Sequence, residues 1–508
     1  MTYTRKNVWG LGADWADDIL WYARGVQAMK AKGLADPLSW RFYGAIHGFD
    51  SGLWTTMGYL ATTDPQPTSA VQSTFWLQCQ HATWYFLPWH RGYLLSFEAA
   101  VRAEVVALGG PADWALPYWN YFGPGQNALP PAFASADWPD GKGNNPLFTT
   151  QRYGPTGNGN VYVDLSSVNL NALTDTIFTG KTRVSPGFGG LDTGFSHGGR
   201  NHGGVEQQPH DMVHVLVGGS SASTGAGGLM TDPDTAGLDP IFYLHHANID
   251  RLWQVWQLNP VTNADPSDPN WLQGPVSFGE RAFAMPNTDG TTWNYTPADM
   301  SNFSTLNYTY DDLTAATVAP APSARLATLG MSPMAARAVG VPTMQSSDDV
   351  ELVGATEQPL SLASAGASAT VRMDRAVRQK VSSSLTLTAD PPAPDRVFLN
   401  IENVRSKSDS AAYHVYVGLP PGALPGDHPE ALAGSVALFG VRKSSLPDSE
   451  HGGEGLTFVL DISHVVDAMH LNGTLDVDTI PVQFVPITNI PAGSEISVGR
   501  ISMYRQGQ

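Results

Sequence analysis

The stretch PIFYLHHANIDRLWQVWQ, residues 240–257, predicts a long helix with a histidine on its apolar side. Proline suits the first turn of a helix, because the amide hydrogen that it lacks would have no partner there. Apolar side chains then recur at the spacing of one helix face, in the order Phe242, His246, Ile249, Trp253. A histidine on such a stripe is more often a packed core residue than a ligand, so this segment alone assigns no metal site.

Two further segments carry histidine in a similar way. Residues 90–108, HRGYLLSFEAAVRAEVVAL, place His90 at the start of an apolar helical stripe. In EQQPHDMVHVL, residues 206–216, His210 and His214 are four positions apart, which brings both imidazoles to one face if the segment is helical. An isolated pair of this kind is equally compatible with one surface and one core histidine.

The histidines are concentrated in one part of the chain. Nine of the 14 lie between His47 and His246, and with His81 also nearby, metal binding becomes the better interpretation. Acidic clusters are sparse around them, which disfavours a di-iron carboxylate site. The single cysteine, Cys79, excludes a Cys-rich zinc site and intrachain disulfides. Imidazole ligands suit copper, zinc or nickel, and copper is bound most strongly in the divalent series.

The composition of the 508 residues indicates a globular chain with an anionic surface. Lys and Arg number 28 against 46 Asp and Glu, and the formal net charge of −18 disfavours nucleic acid and acidic membrane surfaces as partners. No apolar run approaches the roughly 20 residues of a membrane span, and the opening MTYTRKNVWGLGADWADD lacks the apolar segment of a secretory signal. We therefore expect a cytoplasmic protein, although export bound to a partner and formation of a homo-oligomer are also compatible with the sequence.

Tryptophan marks a change of character along the chain. All 15 tryptophans lie between Trp9 and Trp293, and the last 215 residues contain none. We expect a mainly α N-terminal domain with long loops over 1–313, a linker over 314–383, and an all-β domain over 384–508. The last of these is predicted from seven alternating runs separated by turns, which are typical of an antiparallel sandwich or barrel: 384–390, 396–404, 412–419, 434–441, 456–462, 481–488 and 495–504.

Two motifs resemble the copper-binding segments of type 3 copper proteins, the family of tyrosinases, catechol oxidases and molluscan haemocyanins. Residues 86–98, FLPWHRGYLLSFE, with His81 nine positions before His90, resemble the first segment. Residues 239–253, DPIFYLHHANIDRLW, resemble the second signature, Asp-Pro-x-Phe-aromatic-x-x-His-x-x-x-Asp. The resemblance extends over about 1–313 and implies a helix bundle that holds a dicopper site.

The resemblance implies two copper ions as cofactors and six histidine ligands. The first ion would be held by His47, His81 and His90, and the second by His210, His214 and His246. In the His245–His246 doublet, the family pattern counted from Asp239 selects His246. Periodicity agrees, because His246 shares the apolar stripe while His245 points about 100° away. We expect His245 to be a packing residue beside the site.

The resemblance also implies an enzyme that uses dioxygen as co-substrate and acts on small phenols and catechols. As a tyrosinase, or polyphenol oxidase, it would hydroxylate monophenols at the ortho position and oxidise o-diphenols to o-quinones. The alternatives are a catechol oxidase or an o-aminophenol oxidase without monophenol hydroxylation, and, outside enzymes, a haemocyanin-like oxygen carrier. Carriers in this family are domains of very large multi-unit chains, which favours the enzyme. A copper-storage protein would lack paired ligands on helices around a substrate cleft.

The segment Cys79-Gln80-His81 matches a Cys-x-His of fungal, plant and molluscan members. In those proteins the sulfur is linked to the imidazole carbon of the second ligand, and such a thioether would fix the ring. The alternative is a free buried thiol that packs as a small hydrophobic group.

Two carboxylates and a proline complete the predicted site. Glu206, four residues before His210, matches the family glutamate that holds a water near the site, and Asp211 stands where many phenol-hydroxylating members carry Asn. Because the phenolic proton must leave before the oxygen can bind copper, we hypothesise that Glu206 and Asp211 together position and activate the water that deprotonates monophenols. Alternatively, Asp211 only favours the dipole at the start of a helix. Pro233, thirteen residues before His246, replaces a bulky gate of some relatives and predicts an open substrate pocket.

The C-terminal domain is similar to the domain that covers the dicopper site in plant and fungal polyphenol oxidases. In that case one of its side chains would point at the site, and Tyr413, Tyr416 and Leu419 are the candidates. We expect a latent enzyme, whose activity rises on limited proteolysis in the linker, with mild detergent or in acid. The alternative is a domain that only stabilises the fold or mediates assembly.

A last family feature joins the two ends of the catalytic domain. Residues 306–311, LNYTYD, resemble the Tyr-x-Tyr motif that closes this domain and packs near an N-terminal arginine. Arg5 is the matching candidate.

Overall fold

The computed structural model describes residues 2–141, 143–195, 199–258, 262–314, 350–374, 376, 379, 395–420, 422–449, 452–475 and 478–507. Its N-terminal part is helical, with long loops between the helices. The helices are α1 Asp17–Lys30, α2 Trp40–His47, α3 Ser51–Thr56, α4 Ser69–Phe75, α5 Phe86–Ala107, α6 Pro131–Ala134, α7 Met212–Gly218, α8 Pro233–Ala236, α9 Pro240–Gln257, α10 Pro269–Gln273 and α11 Pro297–Ser301. Among the described residues, none of the helices combines the length and apolar character needed to cross a membrane.

Helices α5 and α9 pack against each other at the centre of this domain. Helix α9 has the predicted bounds, and its first turn is capped by Asp239, whose Oδ1 accepts a hydrogen bond from the Ile241 amide at 3.0 Å. The buried side chain of Arg152 binds the same carboxylate, with Nε 2.8 Å from Oδ2. A residue of the long loop 121–162 thus fixes the start of the helix that carries His246.

Short strands join the two ends of the helical domain. Strand β1 Tyr3–Arg5 pairs in parallel with β4 Tyr308–Tyr310, and β2 Phe283–Pro286 pairs with β3 Thr292–Tyr295. The guanidinium carbon of Arg5 lies 4.0 Å from the centre of the Tyr308 ring, and Arg5 Nη1 donates to the Tyr310 hydroxyl at 2.9 Å. The expected contact between Arg5 and the Tyr-x-Tyr motif is confirmed.

The described residues of the C-terminal part form a nine-stranded antiparallel sheet. Its strands are β5 Val350–Ala355, β6 Leu360–Leu362, β7 Ala367–Met373, β8 Arg396–Arg405, β9 Ala412–Val417, β10 Leu432–Ala437, β11 Leu456–Asp461, β12 Thr479–Pro486 and β13 Ile496–Gln506. The order is β10-β9-β12-β7-β5-β13-β8-β11, and β6 pairs with β13. The end strands β10 and β11 lie close together, so the sheet is a nearly closed barrel. Two helices follow strands of this sheet, α12 Val441–Ser444 after β10 and α13 Ser463–Leu471 after β11.

The predicted linker, 314–383, extends too far towards the C-terminus. Strands β5 to β7 lie inside that range and pair with β12 and β13, so the described part of the barrel begins at Val350. Strand β7 does alternate, with Ala367, Ala369, Val371 and Met373 on its inner side, but only Val371 of these is fully buried and two are small alanines, so the pattern is inconspicuous in the sequence. The strand predicted over 384–390 lies outside the described residues.

The barrel and the helical domain share part of their cores. Barrel residues Val397, Val415 and Ile501 pack inside the sheet. By contrast, Ala412, Ala437 and Phe439 of the barrel belong to the same buried cluster as the helical core. The side of the barrel that carries β9 and β10 therefore faces the helical domain.

Candidate metal centre

Two buried groups of metal-ligating side chains face each other in the helical domain. Within the described residues, cluster A consists of His47, Cys79, His81 and His90, and cluster B of His210, His214, His245 and His246. In each cluster the ligand atoms lie within 4.8 Å of one another. All six predicted histidine ligands are thus brought together, three in each cluster.

Different elements supply the three predicted histidines of each cluster. In cluster A, His47 ends α2, His90 lies in the first turns of α5, and His81 lies in the preceding loop. In cluster B, the rings come from the helical turn Glu206–Asp211, from α7 and from α9. The clusters meet where the rings of His90 and His246 stack with centroids 4.4 Å apart. This arrangement can hold two metal ions side by side.

Backbone carbonyl groups orient three of these imidazoles. The Nδ1 atoms of His47, His90 and His214 donate to the carbonyl oxygens of Pro233 at 2.8 Å, Phe86 at 2.8 Å and Met230 at 2.7 Å. An Nδ1–H that donates to a carbonyl leaves Nε2 with its lone pair free for a metal. His214 Nε2 lies 3.2 Å from His246 Nε2, as two ligands of one ion would.

The remaining ring nitrogens fit a metal ion. His47 Nε2 and His210 Nε2 are buried and have no hydrogen-bond partner in the described structure. Burial lowers the pKa of His47 to about 3 and holds the pKa of His210 well below its usual range. Neutral imidazoles with unpartnered buried nitrogens are a donor set that suits copper, zinc or nickel, of which copper is bound most strongly.

The geometry distinguishes the two members of the histidine doublet. The His246 ring faces both clusters, with centroids 4.9 Å from His210 and 6.2 Å from His47. The His245 ring contacts His210 at 5.4 Å, His214 at 5.0 Å and Tyr121 at 5.8 Å. Among the described ring contacts, those of His245 reach members of cluster B but none of cluster A, which supports His246 as the ligand.

Cys79 lies against the ring of His81. Its Sγ is 3.4 Å from Nδ1 and 3.7 Å from Nε2. The sulfur is thus almost equally far from the two nitrogens that flank Cε1, the atom that a thioether would join, and it also lies 3.3 Å from His90 Nε2. Burial raises the pKa of the Cys79 thiol well above its usual range.

Asp211 bridges two imidazoles beside cluster B. Its Oδ1 accepts from His210 Nδ1 at 2.9 Å, and its Oδ2 accepts from Nδ1 of His202 at 2.5 Å. His202 was not singled out in the sequence, because it lies in the glycine-rich loop GGRNHGG, where no periodicity marks it. Burial alone would lower the pKa of His202, but the Asp211 and Glu206 carboxylates raise it to about 9.

Glu206 is the second predicted carboxylate beside the two clusters. Its Oε1 and Oε2 accept hydrogen bonds from the Ala82 amide at 2.9 and 3.1 Å, next to His81. The carboxylate is fully buried, and burial raises its pKa to about 8. Of the two predicted carboxylates, Asp211 has both oxygens on imidazoles, whereas Glu206 is bound by backbone amides beside both clusters.

Pro233 occupies the first position of α8 and is buried. Its carbonyl group orients His47, as described above, and its ring lies under the loop that follows β10. A Cβ atom at Gly440 of that loop would lie 3.8 Å from the proline ring. Pro233 therefore lies at the contact between the site and the barrel.

Phe439 of the barrel points into the site. Its ring stacks on His214 with centroids 4.2 Å apart, and lies 5.3 Å from His81 and 5.5 Å from His210. It is fully buried. The expected candidates were therefore wrong: Tyr413 packs in the barrel core, and Tyr416 and Leu419 form a separate cluster with Ala431.

The physical reason for this difference is a tight turn. Strand β10 ends at Ala437, and Gly440 adopts a φ of +79°, a conformation that favours glycine. The chain turns there into α12, and Phe439 projects from the turn towards clusters A and B. The predicted residues lie on or just beyond β9, the neighbouring strand, in which Tyr413 pairs with Val436.

Comparison with known proteins gives a family for both parts of the chain. Residues 37–259 match the common central domain of tyrosinase, and residues 349–506 match a domain of unknown function, DUF7868. The chain is 33% identical to tyrosinase HcTyr1 of Hahella sp. (strain CCB-MM4), over 99% of both chains. It is 24% identical to a chloroplastic polyphenol oxidase of Malus domestica, over 92% of this chain and 72% of the relative.

The fold as a whole resembles solved structures. Latent apple tyrosinase superposes with a TM-score of 0.60 at 20% identity, over 100% of this chain and 97% of that one. Recombinantly expressed latent aurone synthase, a polyphenol oxidase, superposes with a TM-score of 0.59 at 19% identity, over 99% and 89% of the two chains. The helical domain and the barrel therefore occur together in other proteins.

Proposed function

Since the chain belongs to the tyrosinase family of type 3 copper proteins, we propose that it uses dioxygen to hydroxylate monophenols at the ortho position and to oxidise the resulting catechols to ortho-quinones. It is a copper oxidoreductase that acts on phenols. One observation carries the proposal: two neighbouring trios of buried histidines bring their ring nitrogens within 4.8 Å of one another in each trio.

His47, His81 and His90 would hold one copper ion, and His210, His214 and His246 the other. The two ions, when bound, supply the dioxygen chemistry and accept the electrons of the phenol. Burial keeps five of the imidazoles neutral, those of His47, His90, His210, His214 and His246. Hydrogen bonds of Nδ1 orient four of the six ligands. Ligands held in this way lose little conformational freedom when metal binds.

Glu206 is the residue that we expect to manage the phenolic proton. Its carboxyl group is held beside His81 by the Ala82 amide and takes a proton through a bound water when it is ionised, which a pKa of about 8 places in mildly alkaline solution. Asp211 contributes by orienting His210, because both its oxygens already accept imidazole hydrogens. The sequence suggested that Glu206 and Asp211 activate the water together, and we now propose that Glu206 does so alone.

Phe439 makes the enzyme latent in this proposal. The ring lies on His214 and occupies the space in which a phenol would reach the ligand clusters. Substrate entry therefore requires the turn that carries Phe439 to move away. Pro233 would then be uncovered and would line the pocket.

The test is a comparison of a monophenol with its catechol on the copper-loaded full-length chain opened with mild detergent. Sustained dioxygen uptake and quinone formation with both substrates is the expected result. Turnover of the catechol alone would identify a catechol oxidase, and a single stoichiometric uptake without quinone would identify an oxygen carrier. Either of the last two results would refute the proposed function.

A further inference from the structure

We propose that His202 is a positioning residue for the copper ligand His210, that it acts through Asp211, and that the barrel holds it in place. The inference rests on the proposed function, because it assumes that cluster B holds copper. It adds a residue that neither copper-binding motif contains.

A single carboxylate joins the two imidazoles. Asp211 Oδ2 accepts from His202 Nδ1 at 2.5 Å, and Asp211 Oδ1 accepts from His210 Nδ1 at 2.9 Å. A carboxylate only accepts, so the hydrogen of His210 is on Nδ1 and its Nε2 presents a lone pair to cluster B. That Nε2 is buried and has no other partner in the described structure.

His210 differs from the other three oriented ligands in the kind of group to which its Nδ1 donates. His47, His90 and His214 bind backbone carbonyl groups, whose positions are fixed by the fold. The anchor of His210 is a side chain that rotates about its own bonds, and holding it in one rotamer costs conformational entropy. The second hydrogen bond, from His202, restrains Asp211 and leaves it one orientation.

The barrel restrains His202 in turn. Strand β11 binds the segment 200–207 at both ends, since the Thr457 amide donates to the Arg200 carbonyl at 2.8 Å. At the other end, the Gln207 side chain accepts from the Val459 amide at 3.4 Å and donates to its carbonyl at 3.3 Å. Phe458, between these contacts, packs edge-on against the His202 ring. The barrel therefore supports cluster B as well as covering it.

The experiment compares two substitutions of His202 in the full-length chain. His202→Leu removes the donor to Asp211, whereas His202→Asn offers an amide nitrogen in the place of Nδ1. His414→Leu is the matched control, because His414 is a partly buried histidine of the barrel with one hydrogen bond, to Ser435. The measurements are copper per chain during titration with a competing chelator and the electron spin resonance signal of uncoupled cupric ions.

We expect His202→Leu to lose one of the two copper ions at chelator concentrations about 10- to 100-fold lower than the wild type, as is usual when a partner of a metal ligand is removed. The uncoupled signal should rise to about one ion per chain. His202→Asn and His414→Leu should retain wild-type copper affinity.

Two results would overturn the inference. In the first, His202→Leu binds both ions with wild-type affinity. In the second, His202→Leu and His202→Asn lose both copper ions to the same extent, and the unfolding temperatures of the two metal-free proteins fall by the same amount. His202 would then be only a structural residue. A wild-type chain that binds no copper would instead refute the proposed function, and this inference with it.

Discussion

At the scale of single residues, the histidine doublet gives the sharpest prediction about the ligands. Of the two rings in the doublet, only that of His246 faces both clusters. His246→Gln should therefore lose one copper ion and reduce catechol turnover by at least about 100-fold. Removal of a group that merely orients a metal ligand costs up to about 100-fold, and loss of the ligand itself should cost more. His245→Gln should retain two ions. Copper analysis of the purified proteins measures both. Loss of copper from the His245 variant alone would reverse the assignment.

Cys79 gives a prediction that mass spectrometry can check. The sulfur lies against the His81 ring, 3.4 and 3.7 Å from the two nitrogens that flank Cε1, so we expect a thioether to form when copper and dioxygen are present. The thiol hydrogen and the ring hydrogen leave, and dioxygen takes the two electrons. The intact chain should then be lighter by two hydrogen atoms than its sequence mass, whereas Cys79→Ala should show its full mass. An unshifted mass after copper loading would contradict the bond.

Helical spacing marks His90, His210, His214 and His246, whereas the resemblance to type 3 copper proteins adds His47 and His81. His202 and Phe439 have no such signal. One lies in a glycine-rich loop and the other in a turn after a strand, and both reach the site through contacts between distant parts of the chain. Their roles depend on tertiary packing, which cannot be read from a single sequence.

At the scale of elements, helix α12 holds the turn with Phe439 against α8. Arg442 Nε lies 2.6 Å from Asp232 Oδ2, and Lys443 Nζ lies 2.8 Å from Asp234 Oδ1. These pairs are mostly buried, with about a fifth of each basic side chain exposed. They connect the barrel to the helical domain within four residues of Phe439.

We expect the double variant Arg442→Gln, Lys443→Gln to be partly active without any activator. Loss of both pairs should favour displacement of the turn and raise the basal rate of catechol oxidation about fivefold, which corresponds to ~1 kcal/mol. Lys407→Gln, which removes an exposed pair with Glu495 elsewhere on the barrel, is the control. A basal rate equal to that of the wild type would show that the ion pairs do not hold the turn.

Periodicity marks helices α5 and α9, and α9 has the predicted bounds. Helix α5 starts at Phe86, four residues before the predicted start, because Pro88 is tolerated in a first turn. Strands β5 to β7 were missed, since β6 has only three residues and the inner side of β7 includes two small alanines.

At the scale of the whole molecule, the barrel is bound to the helical domain by many contacts besides Phe439. Asn489 and Ser220 exchange hydrogen bonds across the interface, and Asn400 donates to the Arg183 carbonyl at 2.8 Å. A cut introduced between 315 and 349 should therefore leave the two parts associated, with Phe439 still in the site.

Size-exclusion chromatography of the cut protein should show one species with the elution volume of the intact chain. Its activity should rise only when detergent separates or loosens the parts, so these contacts revise the expectation that proteolysis in the linker alone raises activity. Spontaneous release of an active helical domain in plain buffer would contradict this expectation and would favour a loosely attached lid.

The change in tryptophan content indicates two domains, and the chain does divide into a helical and a barrel part. The sequence does not reveal their mutual arrangement, because the shared core residues Ala412 and Ala437 look like any other small strand residues. The depth to which the barrel enters the helical domain depends on that packing.

Dioxygen uptake by the copper-loaded Phe439→Ala chain, with catechol as substrate, tests the central claim most directly. With the ring removed from His214, the chain should carry two copper ions and consume dioxygen over many turnovers without detergent, at least about tenfold faster than the wild type. Two bound copper ions with no sustained uptake, or no copper at all, would contradict the claim that the six histidines form a phenol-oxidising centre covered by the barrel.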